Sequence, residues 1–265
     1  MTELLPNEDY AKRRIPGTNV YAPSDLSLEE LTTALKEPGE TLKQSKKATT
    51  RRVNNWIIKN SSGPALKNTL KFTFRREHYR SAWYAAHYLL KRDIKVPQPI
   101  AYLERSHLGC ITGNTFVTEN LADHRSAPRF LQALGDQGAE QETITRFLEA
   151  LAGTIQALEA TGAYHADLAA KNILTSDGET FYFIDLDAIT LDQPYTNEMR
   201  LKNHVQLYDS FCDYLNDSLL VPFIQRMLPQ DIDARVWLPA LRTAQTERRR
   251  FIRKPWRPRQ KMPKV

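Results

Sequence analysis

The alternation of apolar and polar residues predicts helices and strands in a definite order along the chain. Residues 141–160 place apolar side chains at three- and four-residue spacings, the pattern of an amphipathic helix. Residues 75–92 show the same periodicity, and the prolines that follow end that helix because proline cannot continue it. Residues 41–59 read as a hairpin that turns at Asn54-Asn55. The apolar positions of the two helices are Trp83, Ala86, Leu89 and Leu90, and Ile144, Phe147, Leu148, Leu151, Ile155 and Leu158.

The remaining pattern completes a two-lobed α+β architecture. Strands PIAYLER and NTFVTENL follow the first helix, and the second half is mostly helical. Residues 1–40 read as an irregular lead with one short helix, capped by Asp25 or Ser27. Residues near 122–140 read as a polar linker. We therefore expect an N-terminal extension over 1–40, a sheet lobe over 41–121, a helical lobe over 122–241 and a tail over 242–265, with a ligand crevice between the lobes.

Composition narrows the setting in which such a fold would work. The 265 residues are 41% hydrophobic and 26% charged, as in ordinary globular proteins. No apolar run approaches the roughly 18 residues that span a bilayer, and the first residues lack the pattern of a secretory signal. Cys110 and Cys212 have no metal-ligand spacing and indicate no disulfide framework. We expect a cytoplasmic protein.

The positive charge is concentrated at the end of the chain. Residues 242–265 hold ten Lys or Arg against one Glu, a net charge of +9, which leaves −3 for the remainder of a chain whose total is +6. This distribution indicates a local anionic contact and argues against a nucleic-acid groove over the whole fold. With Trp256 among its basic residues, the tail suits peripheral contact with an anionic inner membrane. A disordered, solubilising tail is the alternative.

The chemistry is concentrated in Tyr164–Asp187, which reads YHADLAAKNILTSDGETFYFIDLD. Charges among so many apolar residues need a partner. Asn172 follows Asp167 by five residues, and the turn at Ser176–Glu179 brings Asp185 back towards Asn172. Phosphoryl transfer requires a carboxylate that orients the attacking hydroxyl, together with oxygen ligands for Mg²⁺. We expect Asp167 to be the base, Asn172 and Asp185 to bind the metal, and His165 to hold the loop. The alternative is a tight helix-to-hairpin connection whose polar residues cap backbone groups.

These motifs resemble a known family. YHADLAAKNIL and FYFIDLD resemble the catalytic core of protein-kinase-like phosphotransferases, and SAWYAAHYLLKRDIKVPQPIAYLER resembles the lipopolysaccharide core kinases, the Kdo and heptose kinases of Gram-negative bacteria. The resemblance covers about residues 41–215. His-Ala stands where protein kinases have His-Arg before the catalytic Asp, and Leu-Asp replaces Phe-Gly after the metal-binding Asp. The resemblance implies a kinase that uses ATP and Mg²⁺ to phosphorylate a sugar hydroxyl of a glycolipid or small sugar, at the inner face of the cytoplasmic membrane.

The nucleotide-binding residues are assigned by position. Lys59, at the end of a predicted strand, is the candidate for the α- and β-phosphates. The loop LKQSKKATTRRV contains no glycine, and Lys43 and Ser45 are its candidate phosphate contacts; a solvated hairpin tip is the alternative. Backbone groups of Glu119 and Leu121 are the expected adenine contacts. The usual glutamate partner of the lysine falls on Ala82, and the displaced alternative is Glu77.

Several assignments keep two interpretations. Lys171 either neutralises the transferring phosphoryl group or pairs with a nearby carboxylate, and Asp187 either binds a second metal or caps a turn. Arg200, Lys202 and His204 either line the acceptor pocket or form a solvated face, which is preferred. The alternative functions are a kinase of another small hydroxyl compound, of the aminoglycoside-phosphotransferase type, and a nucleotide-binding pseudokinase.

Overall fold

A computed structural model describes residues 4–45, 48–62, 78–107, 110–191 and 193–251. The chain divides into two compact units, one of residues 1–91 and 96–122 and the other of residues 92–95 and 123–265. The first unit is built on an antiparallel sheet and the second is mainly helical. This confirms the predicted α+β class. Within the described ranges, no helix is both long enough and apolar enough to cross a bilayer.

Over its described residues, the first unit comprises a seven-stranded antiparallel sheet and two helices. Its strand order is β1-β2-β6-β7-β5-β4-β3. The turn at Asn54-Asn55 is confirmed: Val53 pairs with Trp56, and Asn54 has a φ of 49°. The helix predicted over 75–92 is confirmed where it is described. The elements are β1 Tyr10–Ile15, β2 Thr18–Pro23, α1 Leu28–Lys36, β3 Glu40–Gln44, β4 Ala48–Val53, β5 Trp56–Ser62, α2 His78–Leu90, β6 Pro99–His107 and β7 Cys110–Glu119.

Helices α1 and α2 pack on opposite faces of the sheet. Their contacts therefore show on which face each strand side chain lies. Ile58 shares an apolar cluster with Leu31 of α1. On α2, Trp83 contacts the rings of Tyr102 and Phe116. Because successive residues of a strand point to opposite faces, odd-numbered β5 residues share the face of Phe116 and α2.

The prediction of an irregular lead before residue 40 is wrong in part. The short helix forms, and Ser27 caps it by accepting a hydrogen bond from the Glu30 N–H at 3.2 Å. Two strands precede it, however, and β2 pairs with β6 so that Val20 lies opposite Leu103. The turn between these strands contains Pro16 and Gly17, whose φ is 68°. This Pro-Gly signal was present in the sequence, but the strand pattern beside it is short and strongly charged.

The second unit carries the segment that was singled out for chemistry. The helix predicted over 141–160 is confirmed, and all six predicted core residues are buried. The hairpin that follows is also confirmed: Ile173 pairs with Phe183 and Leu174 with Tyr182. The elements are β8 Arg125–Ser126, α3 Ala127–Asp136, α4 Gln141–Ala160, β9 Tyr164–His165, β10 Ile173–Thr175, β11 Tyr182–Phe183, β12 Ile189–Thr190, α5 Asn197–Phe211, α6 Asp217–Met227 and α7 Ala234–Phe251.

Two segments of this unit differ from expectation. Residues near 122–140 are not a simple polar linker, because β8 pairs with β10 and α3 buries Ala127 and Leu131. The start of the basic tail is helical, since α7 continues to Phe251. Trp237 and Leu241 anchor α7 in the core, so the basic segment begins inside a packed helix. The later tail residues, including Trp256, lie outside the described part of the chain.

Candidate active site

The loop that carries Asp167 is held at its start by His165. This side chain is fully buried. Its Nδ1 accepts the Asp167 N–H at 3.2 Å, and its Nε2 lies 3.0 Å from the Ile184 carbonyl oxygen. Accepting at Nδ1 places the proton on Nε2, which then donates to Ile184. Burial lowers the pKa of His165 and keeps the ring neutral. His165 thus ties the Asp167 loop to the strand end that precedes Asp185.

Asn172 connects the two proposed catalytic elements directly. Its side-chain amide donates to the main-chain carbonyl of Asp167 at 2.8 Å and to Asp167 Oδ2 at 3.1 Å. The Ile184 N–H donates to the Asn172 carbonyl at 2.9 Å. Asn172 is buried, and a short 3₁₀ turn over Ala170–Asn172 brings it there. The five-residue spacing therefore closes into contact.

Asp185 occupies an unusual backbone position. Its φ of 61° and ψ of 45° lie in the left-handed region, which is costly for most L-residues and best tolerated by Asn and Asp. The Ala188 N–H donates to the Asp185 carbonyl at 3.0 Å and closes the turn. Such strained positions concentrate at functional sites. Asp187 lies within that turn.

The hairpin between Asn172 and Asp185 is shaped by Asp177. Its Oδ1 accepts the N–H groups of Glu179 and Thr180, both at 2.8 Å. Burial alone would raise the pKa of Asp177, but these hydrogen bonds outweigh it and lower the pKa below the usual value. The carboxylate therefore organises the turn, which confirms the predicted turn region and explains how the chain doubles back.

The oxygen atoms available here fit a magnesium ion by their chemistry. Mg²⁺ prefers oxygen ligands and is commonly bound by one or two carboxylates together with phosphates and water. Because the Asn172 amide nitrogen donates to Asp167, its side-chain oxygen is directed elsewhere. Asp185 adds a carboxylate one residue after Ile184. Among the residues that the structure describes, no three His, Cys, Asp or Glu side chains form a cluster for a metal by themselves.

Lys171 pairs with Asp167. Its Nζ lies 3.1 Å from Asp167 Oδ2, the same oxygen that accepts from Asn172. The lysine side chain is 65% exposed and the aspartate side chain 40% exposed, so this ion pair adds little stability by itself. The cation nevertheless lies directly beside the Asp167 carboxylate.

The sequence pattern did not indicate two α5 residues, Gln206 and Ser210, that hydrogen-bond to the backbone of the Asp167 loop. Gln206 Nε2 donates to the Ala166 carbonyl at 2.8 Å. The Ser210 hydroxyl accepts the Ala170 N–H at 3.1 Å and donates to the Gln206 carbonyl at 2.7 Å. These two α5 residues stand four apart and so share one helix face, and they bracket Asp167 on both sides. A Q-x-x-x-S pair is common on helices, so the pattern alone did not mark them.

The preferred assignment of Arg200 and His204 to a solvated face is wrong. The Arg200 side chain is only 14% exposed and its Nε donates to Glu159 Oε2 at 2.9 Å. His204 is fully buried and accepts the Trp237 indole N–H at Nδ1, 3.1 Å away. Both positions face inward because they contact Glu159 of α4, and His204 also contacts Trp237 of α7. Lys202 is exposed and pairs with Glu198 at 2.8 Å, as expected of a solvated face.

Lys59 lies at a specific place in the sheet of the first unit. It pairs with Phe116 of β7 on one side and with Thr50 of β4 on the other. By strand alternation, the Lys59 side chain lies on the face of the sheet that α2 covers. Ala82, on α2, is buried. Lys59 is half-buried. Glu77, its displaced candidate partner, lies outside the described residues.

The candidate phosphate contacts Lys43 and Ser45 lie at one end of the antiparallel β3–β4 pair. Ser45 Oγ accepts the Ala48 N–H at 3.0 Å, and the Ser45 N–H donates to the Ala48 carbonyl at 2.8 Å. Lys43 pairs with Thr50 in the ladder and is exposed. Both side chains therefore stand at the same end of this strand pair.

At the end of β7, Glu119 pairs with Gln98 through one main-chain and one side-chain hydrogen bond. Its N–H donates to the Gln98 carbonyl at 2.9 Å, while the Gln98 N–H donates to the Glu119 carboxylate at 2.8 Å. The carboxylate takes the acceptor position that the main-chain carbonyl of Glu119 would normally fill. The Asn120 N–H donates to Asn55 at 2.7 Å. Leu121 follows directly, so the predicted adenine-contacting backbone begins where the ladder ends.

Comparison with known proteins identifies the class and then the family. The chain matches the structure described as WaaP in complex with acyl carrier protein with a TM-score of 0.64 and 17% identity, over 85% of this chain and 93% of that one. This likeness defines a protein-kinase-like fold. A family model described as "Lipopolysaccharide kinase (Kdo/WaaP) family" matches residues 29–232. The chain belongs to this family and is a phosphotransferase that acts on a sugar hydroxyl of the lipopolysaccharide core.

Other structural matches are more distant, and one comparison finds nothing. The bifunctional kinase-methyltransferase WbdD matches with a TM-score of 0.43 and 16% identity, over 75% of this chain and 47% of that longer one. A Toxoplasma gondii rhoptry antigen kinase domain matches with a TM-score of 0.46 and 9% identity, over 87% and 83%. No curated protein matches this chain.

Proposed function

We propose that this protein transfers the γ-phosphoryl group of ATP to a hydroxyl of Kdo or heptose in the lipopolysaccharide inner core, with Mg²⁺ as the metal. The observation that carries the proposal is the bonding of Asn172 to both Asp167 and Ile184. It ties a base, a metal-ligating amide and the strand end that precedes Asp185 into one unit.

Each side chain has a defined task in this proposal. Asp167 orients the acceptor hydroxyl and takes its proton, because its carboxylate is held at the loop tip by Asn172 and Lys171. Lys171 offsets the negative charge that gathers near Asp167 during transfer. His165 stays neutral and fixes the loop.

The metal would be held by Asn172 and Asp185. When bound, Mg²⁺ neutralises the phosphate charge of the nucleotide. Asn172 contributes its side-chain oxygen because its nitrogen is already committed to Asp167. Asp185 contributes a carboxylate from a backbone turn that permits few conformations.

The nucleotide contacts proposed in the first unit follow the same reasoning. Lys59 binds the α- and β-phosphates from the α2 face of the sheet. Lys43 and Ser45 add a cation and a hydroxyl at the end of the β3–β4 pair, in place of a glycine-rich loop. The Glu119 carbonyl and the Leu121 N–H bind the adenine edge, and the exchange of acceptors at Gln98 supports the role of Glu119.

Substitution of Asp167 tests the proposal most directly. General base catalysis contributes roughly 10² to 10⁴ in rate, so Asp167→Ala and Asp167→Asn should lower kcat by that factor and leave ATP binding intact. Transfer of radiolabel from ATP to purified core oligosaccharide measures kcat, and an ATP-dependent thermal shift measures binding. Near-normal turnover of Asp167→Ala would assign the base elsewhere.

The acceptor is tested with matched substrates. Dephosphorylated lipopolysaccharide core, Kdo-containing and heptose-containing fragments and aminoglycosides should be compared under identical conditions. We expect transfer to the core fragments. Transfer to aminoglycosides alone would instead establish a kinase of small soluble alcohols, and the absence of both transfer and an ATP-dependent thermal shift would establish a pseudokinase.

We also propose peripheral contact with anionic membrane through the basic tail. Part of its charge is already used within the protein, since three arginines of α7 pair with three aspartates of α5, α6 and the segment between them. Arg242 pairs with Asp217, Arg248 with Asp209, and Arg249 with both Asp209 and Asp213. The contact therefore depends on the basic residues that follow Phe251 in the sequence, each contributing about 1 kcal/mol at an anionic surface.

Vesicle binding tests this contact. Truncation after Phe251 should abolish co-sedimentation with phosphatidylglycerol vesicles at low salt and leave transfer to soluble core fragments unchanged. Vesicles of phosphatidylcholine are the control. Equal sedimentation of the full and truncated chains would contradict a role for the tail.

A further inference from the structure

A buried polar cluster surrounds Glu159 at the end of α4, within the second unit. The Glu159 side chain is only 8% exposed. Its Oε1 accepts the Tyr195 hydroxyl at 2.9 Å, and its Oε2 accepts Arg200 Nε at 2.9 Å. His204 Nε2 lies 3.4 Å from Oε1. Asn203 Nδ2 donates to the Tyr195 oxygen at 3.1 Å. We call these five residues the Glu159 cluster.

The protonation states within the Glu159 cluster follow from its donors. The Trp237 indole N–H can only donate, so His204 Nδ1 accepts it and the His204 proton lies on Nε2, towards Glu159. Burial would raise the pKa of Glu159, but the interactions with His204, Arg200 and Tyr195 outweigh it and lower the pKa. Burial and the Glu159 charge raise the pKa of Tyr195, which keeps its hydroxyl a donor. The buried carboxylate is thus an anion with a paired arginine.

The Glu159 cluster fixes a segment that continues directly from the metal-binding turn. Tyr195 lies between β12 and α5. Its ring lies 6.3 Å from the ring of Tyr164, and the Arg200 guanidinium stacks 5.2 Å from its centroid. Tyr164 pairs with Thr190 of β12 and precedes Asp167 by three residues. Both tyrosines are half-buried, and Tyr164 belongs to β9, which leads directly into the Asp167 loop.

We propose that Glu159 is a positioning residue for the acceptor: by holding the Tyr195 hydroxyl, it fixes the Tyr164–Tyr195 ring pair as a surface for the acceptor sugar. This inference rests on the proposed function. Aromatic rings offer flat apolar faces that suit the C–H faces of a pyranose, and ligand sites are commonly lined in this way. Arg200 binds Glu159 and lies over the Tyr195 ring. In this proposal it therefore positions Tyr195 and does not contact the acceptor.

Removal of one hydroxyl provides the sharpest test. Tyr195→Phe keeps the ring and loses its hydrogen bond to Glu159. We expect the KM for core oligosaccharide to rise about three- to tenfold, the effect of one lost hydrogen bond, with the KM for ATP and the ATP-dependent thermal shift unchanged. Tyr208→Phe is the matched control, because Tyr208 on α5 donates to Asp217 at 3.0 Å and lies outside the site. It should lower the melting temperature similarly and leave the acceptor KM unaltered.

Two further variants keep the inference testable if stability changes. Glu159→Gln should raise the acceptor KM in the same direction, and Tyr164→Leu should raise it through loss of the flat ring while the cluster remains intact. Transfer with an acceptor KM equal to that of Tyr208→Phe in all three variants would make the cluster a structural support only. Absence of transfer by the unmodified protein would overturn the proposed function and this inference with it.

Discussion

The side-chain amide of Asn172 donates to both the main-chain carbonyl and Oδ2 of Asp167, at 2.8 and 3.1 Å. The two residues are five apart in sequence, and the loop between them is folded so that one amide fixes both backbone and carboxylate. This contact places the proposed base before any substrate arrives. Such preorganisation is a principal source of catalytic rate.

Replacement of Asn172 by Asp should shift the pH dependence of the reaction. The substitution sets a second carboxylate 3.1 Å from Asp167 Oδ2, and a like charge disfavours ionisation and raises the pKa. We expect the acidic limb of the kcat/KM profile to move to higher pH. Asn172→Ala is the control, since it removes the donors without adding charge and should lower activity without moving the limb.

Substitutions of Asp185 should separate the effect of its charge on activity from the effect of its backbone conformation on stability. Because its φ is 61°, Asp185→Asn should fold with unchanged stability, since Asn tolerates this conformation, yet lose most activity at saturating Mg²⁺. Asp185→Ala should lose activity and also about 1 kcal/mol of the free energy of unfolding. Asp185→Gly should not show that additional cost of strain. Urea denaturation measures the free energies, and equal stability of the Ala and Asn variants would refute the strain argument.

Gln206 should affect turnover without affecting nucleotide binding. Gln206→Ala leaves the Ala166 carbonyl without this donor, and we expect kcat to fall about tenfold, as for other groups that orient catalytic residues. Gln206→Glu should be worse, because an ionised carboxylate would face a carbonyl oxygen. Gln156 is the matched control: its side chain donates to the Arg226 carbonyl at 2.7 Å, away from the site. Equal losses in the Gln206→Ala and Gln156→Ala variants would deny a positioning role.

His165 should make stability depend on pH. Burial lowers the pKa of His165 in the folded protein below the usual histidine value of about 6.5, so the unfolded chain binds the proton first as the pH falls. Stability should then be full above pH 6.5 and decline below it by about 1.4 kcal/mol per pH unit, until the folded pKa is reached. His165→Asn lacks this titration and should remove that slope. His87, whose pKa burial lowers to about 4, contributes equally to both proteins and cancels in the difference.

Patterns local to one element were predictable from the sequence. The helix over 141–160 is confirmed because its apolar stripe has a single period over five turns and ends at Thr161-Gly162. The Asn54-Asn55 turn is confirmed because a left-handed position favours few residues. The short hairpin after Asn172 is also confirmed, because the Asp177 side chain accepts the N–H groups of its own turn.

Contacts between elements were not predictable in the same way. Arg200 and His204 read as a solvated face because their partners, Glu159 and Trp237, lie on other helices, far away in sequence. The strands before residue 24 were missed because β1 is highly charged and becomes a strand by pairing with β2, which in turn pairs with β6. Gln206 and Ser210 carry no signal until the Asp167 loop lies on them.

The sequence by itself determined the family, through motifs in short segments, and the order of the main helices, through apolar spacing within each one. It also supplied the candidate residues for the chemistry, which lie in one short segment. The tertiary structure alone decided which side chains support that segment. Glu159 becomes a partner of Tyr195, and Gln206 a partner of Ala166, only when separate stretches of chain are packed together. A buried carboxylate or amide is stable only with its hydrogen bonds made, and those partners are set by packing.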